Sequence, residues 1–169
     1  MNLKKSSFER HLSPVYPRLR RFAYSLSRDA HDADDLTQRA AMRAMSSFDK
    51  FQEGTNFDSW VFRITRNLWI DTVRARGRRG KHEMPEEAGT SVGYDPLPAT
   101  EAALDLGKAM AALEKLPEEQ REVVSLVLID GMAYREAADL LELPIGTISS
   151  RVVRGRKALL DLLGETQDD

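Results

Sequence analysis

GMAYREAADLLELPIGTISSRVVRGRKALLDLL, Gly131 to Leu163, reads as two short helices joined by a tight turn. The first helix is apolar at Ala137, Ala138 and Leu141, with small side chains where two helices would pack closely. Glu142 and Leu143 fall in the turn. Pro144 opens the second helix, where its missing N–H costs nothing and its fixed φ helps. Ile148, Val152, Leu159 and Leu163 line one face of that helix. The other face carries Thr147, Ser149, Ser150, Arg151, Arg154, Arg156 and Lys157, with no acid among them. An apolar seam behind hydroxyl and guanidinium groups is the pattern of a DNA-binding helix-turn-helix. A polar face of seven residues is too small to specify a genomic site unaided, so the motif alone is expected to bind weakly.

The rest of the chain bounds what this motif serves. It has 169 residues, of which 41% are hydrophobic, enough for one domain or two small ones with real cores. The net charge of −2 argues against a general nucleic-acid coat protein, but the charges are segregated. Arg63, Arg66, Arg74, Arg76, Arg78, Arg79 and Lys81 face a single acid, Asp71, in one stretch. Glu83 to Glu101 then holds five acids and no base. With no cysteine, disulfides, thiolate zinc sites and a cysteine nucleophile are excluded. No apolar run approaches the roughly 20 residues of a membrane span. The N-terminus lacks the apolar core of a signal peptide, so a cytoplasmic protein without membrane insertion is expected.

An all-α fold is predicted throughout, as two small helical domains joined by a flexible linker. Residues 3 to about 28 read as helical in two pieces, with Pro14 and Pro17 interrupting them or sitting in a first turn. Asp32 to Phe48 reads as a helix whose first turn holds Asp32, Asp34 and Asp35, matching the positive end of its dipole. Asp49 to Asn56 is a loop, broken by Gly54, in which Thr55 or Asn56 caps the next helix. That helix runs from Phe57 to about Arg76, buried along Phe57, Trp60, Val61, Ile64 and Leu68. His82 to Thr100, with three prolines and two glycines and no apolar period, is the linker. Helices resume at Glu101, with Leu104, Ala109, Ala112, Leu113 and Leu116 as a stripe, and again after Pro117. Domain limits of 1–81 and 101–164 result, with an acidic tail at 165–169.

Three constellations carry chemistry. The helix-turn-helix is the first; arginines there meet guanine edges or phosphates. The second is Phe57 to Arg79, where basic side chains interleave with Phe62, Trp69 and Asn67 after a loop. Basic groups track a phosphate backbone, and aromatic and amide groups receive an unstacked base. Trp60 sits on the apolar stripe and is assigned to the core. The third is the acidic run from Asp32 to Arg39, either a helix cap or a protein-docking face. Asp71 and Arg74, three apart, read as a local ion pair. His11, His31 and His82 have no metal-binding spacing and are read as surface residues. There is no Gly-rich phosphate loop, GxSxG or HExxH. No enzyme activity, metal or cofactor is expected.

Two separated blocks resemble one family. DADDLTQRAAMRA and FDKFQEGTNFDSWVFRITRNLWIDTVRARGRR are similar to region 2 of bacterial sigma factors of the extracytoplasmic-function (ECF) group. LEKLPEEQREVVSLVLIDGMAYREAADLLELPIGTISSRVVRGRKAL is similar to their region 4. The resemblance implies an alternative sigma factor that binds core RNA polymerase, at the β′ clamp and β flap, and directs it to promoter DNA. It assigns polymerase docking to Asp32, Asp35, Gln38 and Arg39, although the family usually has a glutamate where Arg39 stands. It assigns opening of the −10 element and capture of a flipped base to the loop Phe51 to Asn56 with Phe57, Arg63, Arg66 and Asn67. It assigns the −35 element to Thr147, Ser149, Ser150, Arg151, Val153 and Arg154. Ala133 stands where the family often has a capping serine or threonine. The linker would follow the polymerase's interior channel, and an anti-sigma factor would control the protein. The FDSWVFRITRN and LPEEQRE forms fit a general-stress type as well as envelope- or metal-stress types. Two rival readings are a conventional helix-turn-helix regulator, which leaves the Phe57 block unexplained, and a sigma-like decoy that sequesters an anti-sigma factor.

Overall fold

A computed structural model describes residues 3–80 and 100–165. The predicted linker, apart from Thr100, and the tail beyond Glu165 lie outside the described residues. The chain forms two compact units, and the described residues contain helices and no strand.

The first unit is built from α1 (Leu3–Ser27), α2 (Ala30–Ser46) and α3 (Phe57–Gly80), with a short 3-10 turn at Phe48–Lys50. The expected break in α1 is absent: Pro14 and Pro17 lie inside one continuous helix. Each removes a backbone donor, but Phe8, Val15, Leu19, Phe22 and Ala23 are all buried on the same helix. Tertiary burial of that stripe overrides local propensity. Arg28 turns the chain with φ of +56°. Asp29, to which the sequence pattern gave no role, then caps α2 by accepting the Asp32 N–H at 2.9 Å. Small residues Ala30, Ala33, Ala40 and Ala44 line the buried face of α2 and let it lie close to its neighbours. Buried hydroxyls are satisfied locally: Thr37 donates to the Ala33 carbonyl at 2.6 Å and Thr65 to that of Val61 at 2.8 Å.

The second unit comprises α4 (Glu101–Glu114), α5 (Glu118–Val124), α6 (Tyr134–Leu141) and α7 (Ile145–Glu165). A π-helical turn, Ser125–Ile129, continues α5. Met110, Leu113, Leu116, Val123, Val124, Leu126, Leu141, Ile148, Val152 and Leu159 form its core. Leu104, placed on the α4 stripe by its spacing, is instead exposed. The LPEEQR segment has a physical rationale that its sequence did not reveal. Arg121 is 5% exposed and its Nη1 donates to the Leu116 carbonyl at 3.0 Å. A buried guanidinium thereby satisfies a carbonyl in the short connection between α4 and α5.

Candidate nucleic-acid interface

In the first unit, the acidic run of α2 is engaged with its neighbours. Asp32 accepts two hydrogen bonds from Arg76 of α3, both at 2.8 Å. This bidentate fork is the strong geometry for a carboxylate and a guanidinium. It holds the Asp32 carboxyl below its ordinary range and raises the Arg76 guanidinium above its own. Asp34 accepts from Arg20 of α1 at 2.6 Å. Asp35 accepts from Arg39 at 3.2 Å, and Arg39 also donates to Thr72 of α3 at 3.2 Å. Each aspartate of the run after Asp29 is therefore paired, and only Gln38 of the predicted docking set takes part in none of these pairs.

The basic helix α3 departs from the sequence-based expectation at its aromatic positions. Phe57, assigned to the −10 element, is 6% exposed. Its ring lies 5.4 Å from that of Phe51, 5.7 Å from Trp60 and 6.1 Å from Phe8. It anchors the loop Phe51 to Asn56 instead of facing a base. Phe62, expected among the basic side chains, is 0% exposed and stacks on Phe22 at 5.0 Å. The two rings are five residues apart, about 140° around α3, and each meets a phenylalanine of α1, Phe8 for Phe57 and Phe22 for Phe62. Trp60, expected in the core, is half-buried at its edge. Arg63 and Asn67 are exposed and Arg66 half-buried, as a nucleic-acid face requires. Asn56 caps α3 by accepting the Ser59 N–H at 3.3 Å, while Thr55 donates instead to the Gln52 carbonyl. Asp71 and Arg74 form no ion pair with each other among the described residues. The helix also runs past the predicted Arg76 to Gly80, carrying Arg78 and Arg79 with it. The basic stretch is thus helical for longer than its two glycines suggested. Arg76 was missed as a partner of Asp32 because 44 residues separate them. Only the opposite charges hinted at the pair.

In the second unit, Glu142 adopts φ of +56° and ends α6. The Leu143 N–H closes the turn on the Ala138 carbonyl at 3.0 Å. The Pro144 carbonyl then accepts from the Thr147 and Ile148 N–H groups, opening α7. Ala133 stands at the start of α6 with no side-chain cap. Along α7, Ser150, Val153, Arg154, Arg156 and Lys157 are exposed and Thr147 and Ser149 half-buried. Arg154 folds onto Ser150, donating to its carbonyl at 3.3 Å. Arg151 departs from the expected open front: its Nη2 lies 3.6 Å from a Glu119 carboxylate oxygen of α5. Exposed Leu128, Tyr134, Val153 and Leu160, with Val152 behind them, line a groove rimmed by Arg156 and Lys157. Among the described residues, no group of His, Asp and Glu has the arrangement of a metal site. No described helix is long and apolar enough to cross a membrane.

Residues 12–79 match the family described as Sigma-70 region 2, and residues 106–159 that described as Sigma-70, region 4. The ECF RNA polymerase sigma factor EcfG of Rhodopseudomonas palustris is 42% identical over 147 residues, spanning 87% of this chain and 80% of that protein. The ECF RNA polymerase sigma factor SigE of Mycolicibacterium smegmatis is 40% identical over 153 residues. That match takes in 88% of this chain but 58% of SigE. Among solved structures, the sigma factor RpoE of Bartonella quintana, in complex with the anti-sigma factor NepR, matches with a TM-score of 0.82 and 37% identity. The match covers 94% of this chain and 97% of RpoE. CnrH, in complex with the cytosolic domain of CnrY, matches with a TM-score of 0.67 and 27% identity over 95% of this chain and 90% of that one. By both of its units, in order, the chain belongs to the sigma-70 family and to its ECF group.

Proposed function

We propose that this chain is an alternative sigma factor. It binds core RNA polymerase, directs it to promoters with −10 and −35 elements, and has no catalytic chemistry of its own. The observation that carries this reading is the presence of both units, each with a basic helix exposed, in the order of regions 2 and 4. Arg63, Arg66 and Asn67 then contact the opened −10 strand, with Phe57 supporting the loop that receives a base. Thr147, Ser149, Ser150, Val153 and Arg154 read or hold the −35 element, joined by Arg151 once it leaves Glu119. Asp32, Asp35, Gln38 and Arg39 dock on the β′ clamp, and the second unit meets the β flap. The protein works in the cytoplasm, where its polymerase is, under an anti-sigma factor; the solved relative RpoE was captured with the anti-sigma factor NepR.

In vitro transcription with core polymerase and a promoter library tests the reading. Added protein is expected to shift initiation to a new set of start sites. Unchanged start sites would refute it. A footprint on a palindrome without polymerase would favour a conventional regulator, and binding to an anti-sigma factor without any DNA contact would favour a decoy.

A further inference from the structure

Two faces with separate assignments meet in one ion pair. Asp32 belongs to the run assigned to polymerase docking, and Arg76 lies at the basic end of α3, assigned to single-stranded DNA. Both carboxylate oxygens of Asp32 are taken by Arg76. The pair is half open to solvent, with the Arg76 side chain 53% exposed. The Arg76 guanidinium carbon also lies 5.6 Å from the centroid of the Trp69 ring, so the indole holds it at the surface of α3. A carboxylate in this geometry has its fork-facing lone pairs occupied and its charge largely neutralised, which weakens its pull on a partner's cation. A guanidinium so paired exerts little pull on a phosphate.

We propose that the Asp32–Arg76 pair is a latch that couples the two faces. Engagement of Asp32 by a cationic group of the polymerase releases Arg76 to a phosphate of the opened strand, and capture of the strand by Arg76 releases Asp32. Because coupling between sites is reciprocal, each ligand strengthens the other by the same factor. Without polymerase, Asp32 holds down the affinity of the chain for single strands. Asp32 and Arg76 act here as positioning residues for each other. This inference rests on the sigma-factor reading of the two faces, but its test does not need polymerase.

The test titrates the full chain against a short fluorescein-labelled oligothymidylate, followed by anisotropy over a range of salt. D32N is expected to bind about threefold more tightly than the wild type, the size an exposed ion pair supports. Its log–log salt slope should steepen by about 0.7, the increment for one added phosphate contact on a single strand. R76K keeps the charge but loses the bidentate fork, so it should also bind more tightly, and it reads the latch independently of how D32N folds. R76Q should bind close to the wild type, and D32N/R76Q should bind as R76Q does. D71N removes an equal charge from an exposed position of α3 without breaking a hydrogen bond to Arg76, so it measures the general electrostatic gain, which should persist in the R76Q background. The latch is overturned if the D32N gain matches that of D71N, if it survives in R76Q, or if no variant binds the strand at low salt. Start-site selection by the wild-type chain with core polymerase is read separately, so failure of the latch and failure of the sigma reading give different results.

Discussion

Gly155 of α7 lies so close to Val124 of α5 that a Cβ at Gly155 would fall 2.4 Å from Val124 Cγ2. Helix α7 is seated on α5 through this contact. Val124 is fully buried and β-branched, so its methyl group has no easy rotamer to escape into. The neighbours of Gly155, Arg154 and Arg156, each rotated about 100° around the helix from it, are exposed.

Gly155→Ala should therefore destabilise the second unit by about 1–3 kcal/mol through overpacking, a cost that exceeds the gain in helix propensity of about 1 kcal/mol. Gly77 in α3 has nothing within 4 Å of its would-be Cβ. Gly77→Ala should have the opposite sign, stabilising the first unit by up to about 1 kcal/mol. Urea unfolding followed by circular dichroism measures both. Equal effects at the two glycines would show that the Val124 contact does not constrain α7.

At the start of α6, Ala133 leaves the first N–H groups without a side-chain acceptor. Its backbone already has the extended geometry of an N-cap, with φ −64° and ψ 147°. Ala133→Ser should add about 1 kcal/mol to the second unit, read as a rise in its urea midpoint. No change would mean that the terminus is already satisfied by another group.

The Asp32–Arg76 pair should make the stability of the first unit depend on pH in acid. Hydrogen bonds from Arg76 hold the Asp32 carboxyl below the ordinary value of 3.8. The folded unit thus takes up this proton less readily than the unfolded chain. The pair's stabilisation is complete above that ordinary value and disappears as pH falls through the lower folded one. The wild type should be more stable than D32N at neutral pH, and the difference should shrink in strong acid. Both tryptophans, Trp60 and Trp69, lie in α3, so tryptophan fluorescence follows the first unit alone. A difference that stays constant down to about pH 2 would mean that the pair does not stabilise the fold.

The helical class, the two-unit plan and the helix-turn-helix were legible in the sequence because amphipathic spacing and turn residues are local signals. The exceptions are positions where a distant element decides. Pro14 and Pro17 argued for a break in α1, yet the burial of Val15 and Leu19 against other helices keeps it whole. Phe57 already lay on the apolar stripe of α3, but Phe62 fell among its basic side chains, and only the position of α1 shows that it points away from them. The burial of Arg121 depends on the Leu116 carbonyl, which lies between α4 and α5. Arg76 and Arg151 were counted with the open basic surface, but their carboxylate partners come from other helices.

Val152 and Val153 mark the boundary between the buried and exposed faces of α7. They are adjacent and chemically identical, but Val152 is 3% exposed and Val153 is 64% exposed. Each step along a helix rotates the side chain by about 100° from the last, so one valine enters the core and the other faces out beside Arg154. Val152→Ala should cost about 2 kcal/mol by leaving a cavity and should lower transcription only in proportion to the protein unfolded. Val153→Ala should change stability by no more than about 0.5 kcal/mol. A methyl contact with a thymine is one of the ways an apolar side chain reads the major groove. Val153→Ala should therefore lower transcription from promoters carrying a thymine at the contacted −35 position, and leave others unaffected. Unfolding curves and promoter-library transcription, run on the same two variants, check this. Equal stability loss in both would place Val153 in the scaffold, and an unchanged promoter preference in Val153→Ala would remove it from the reading set.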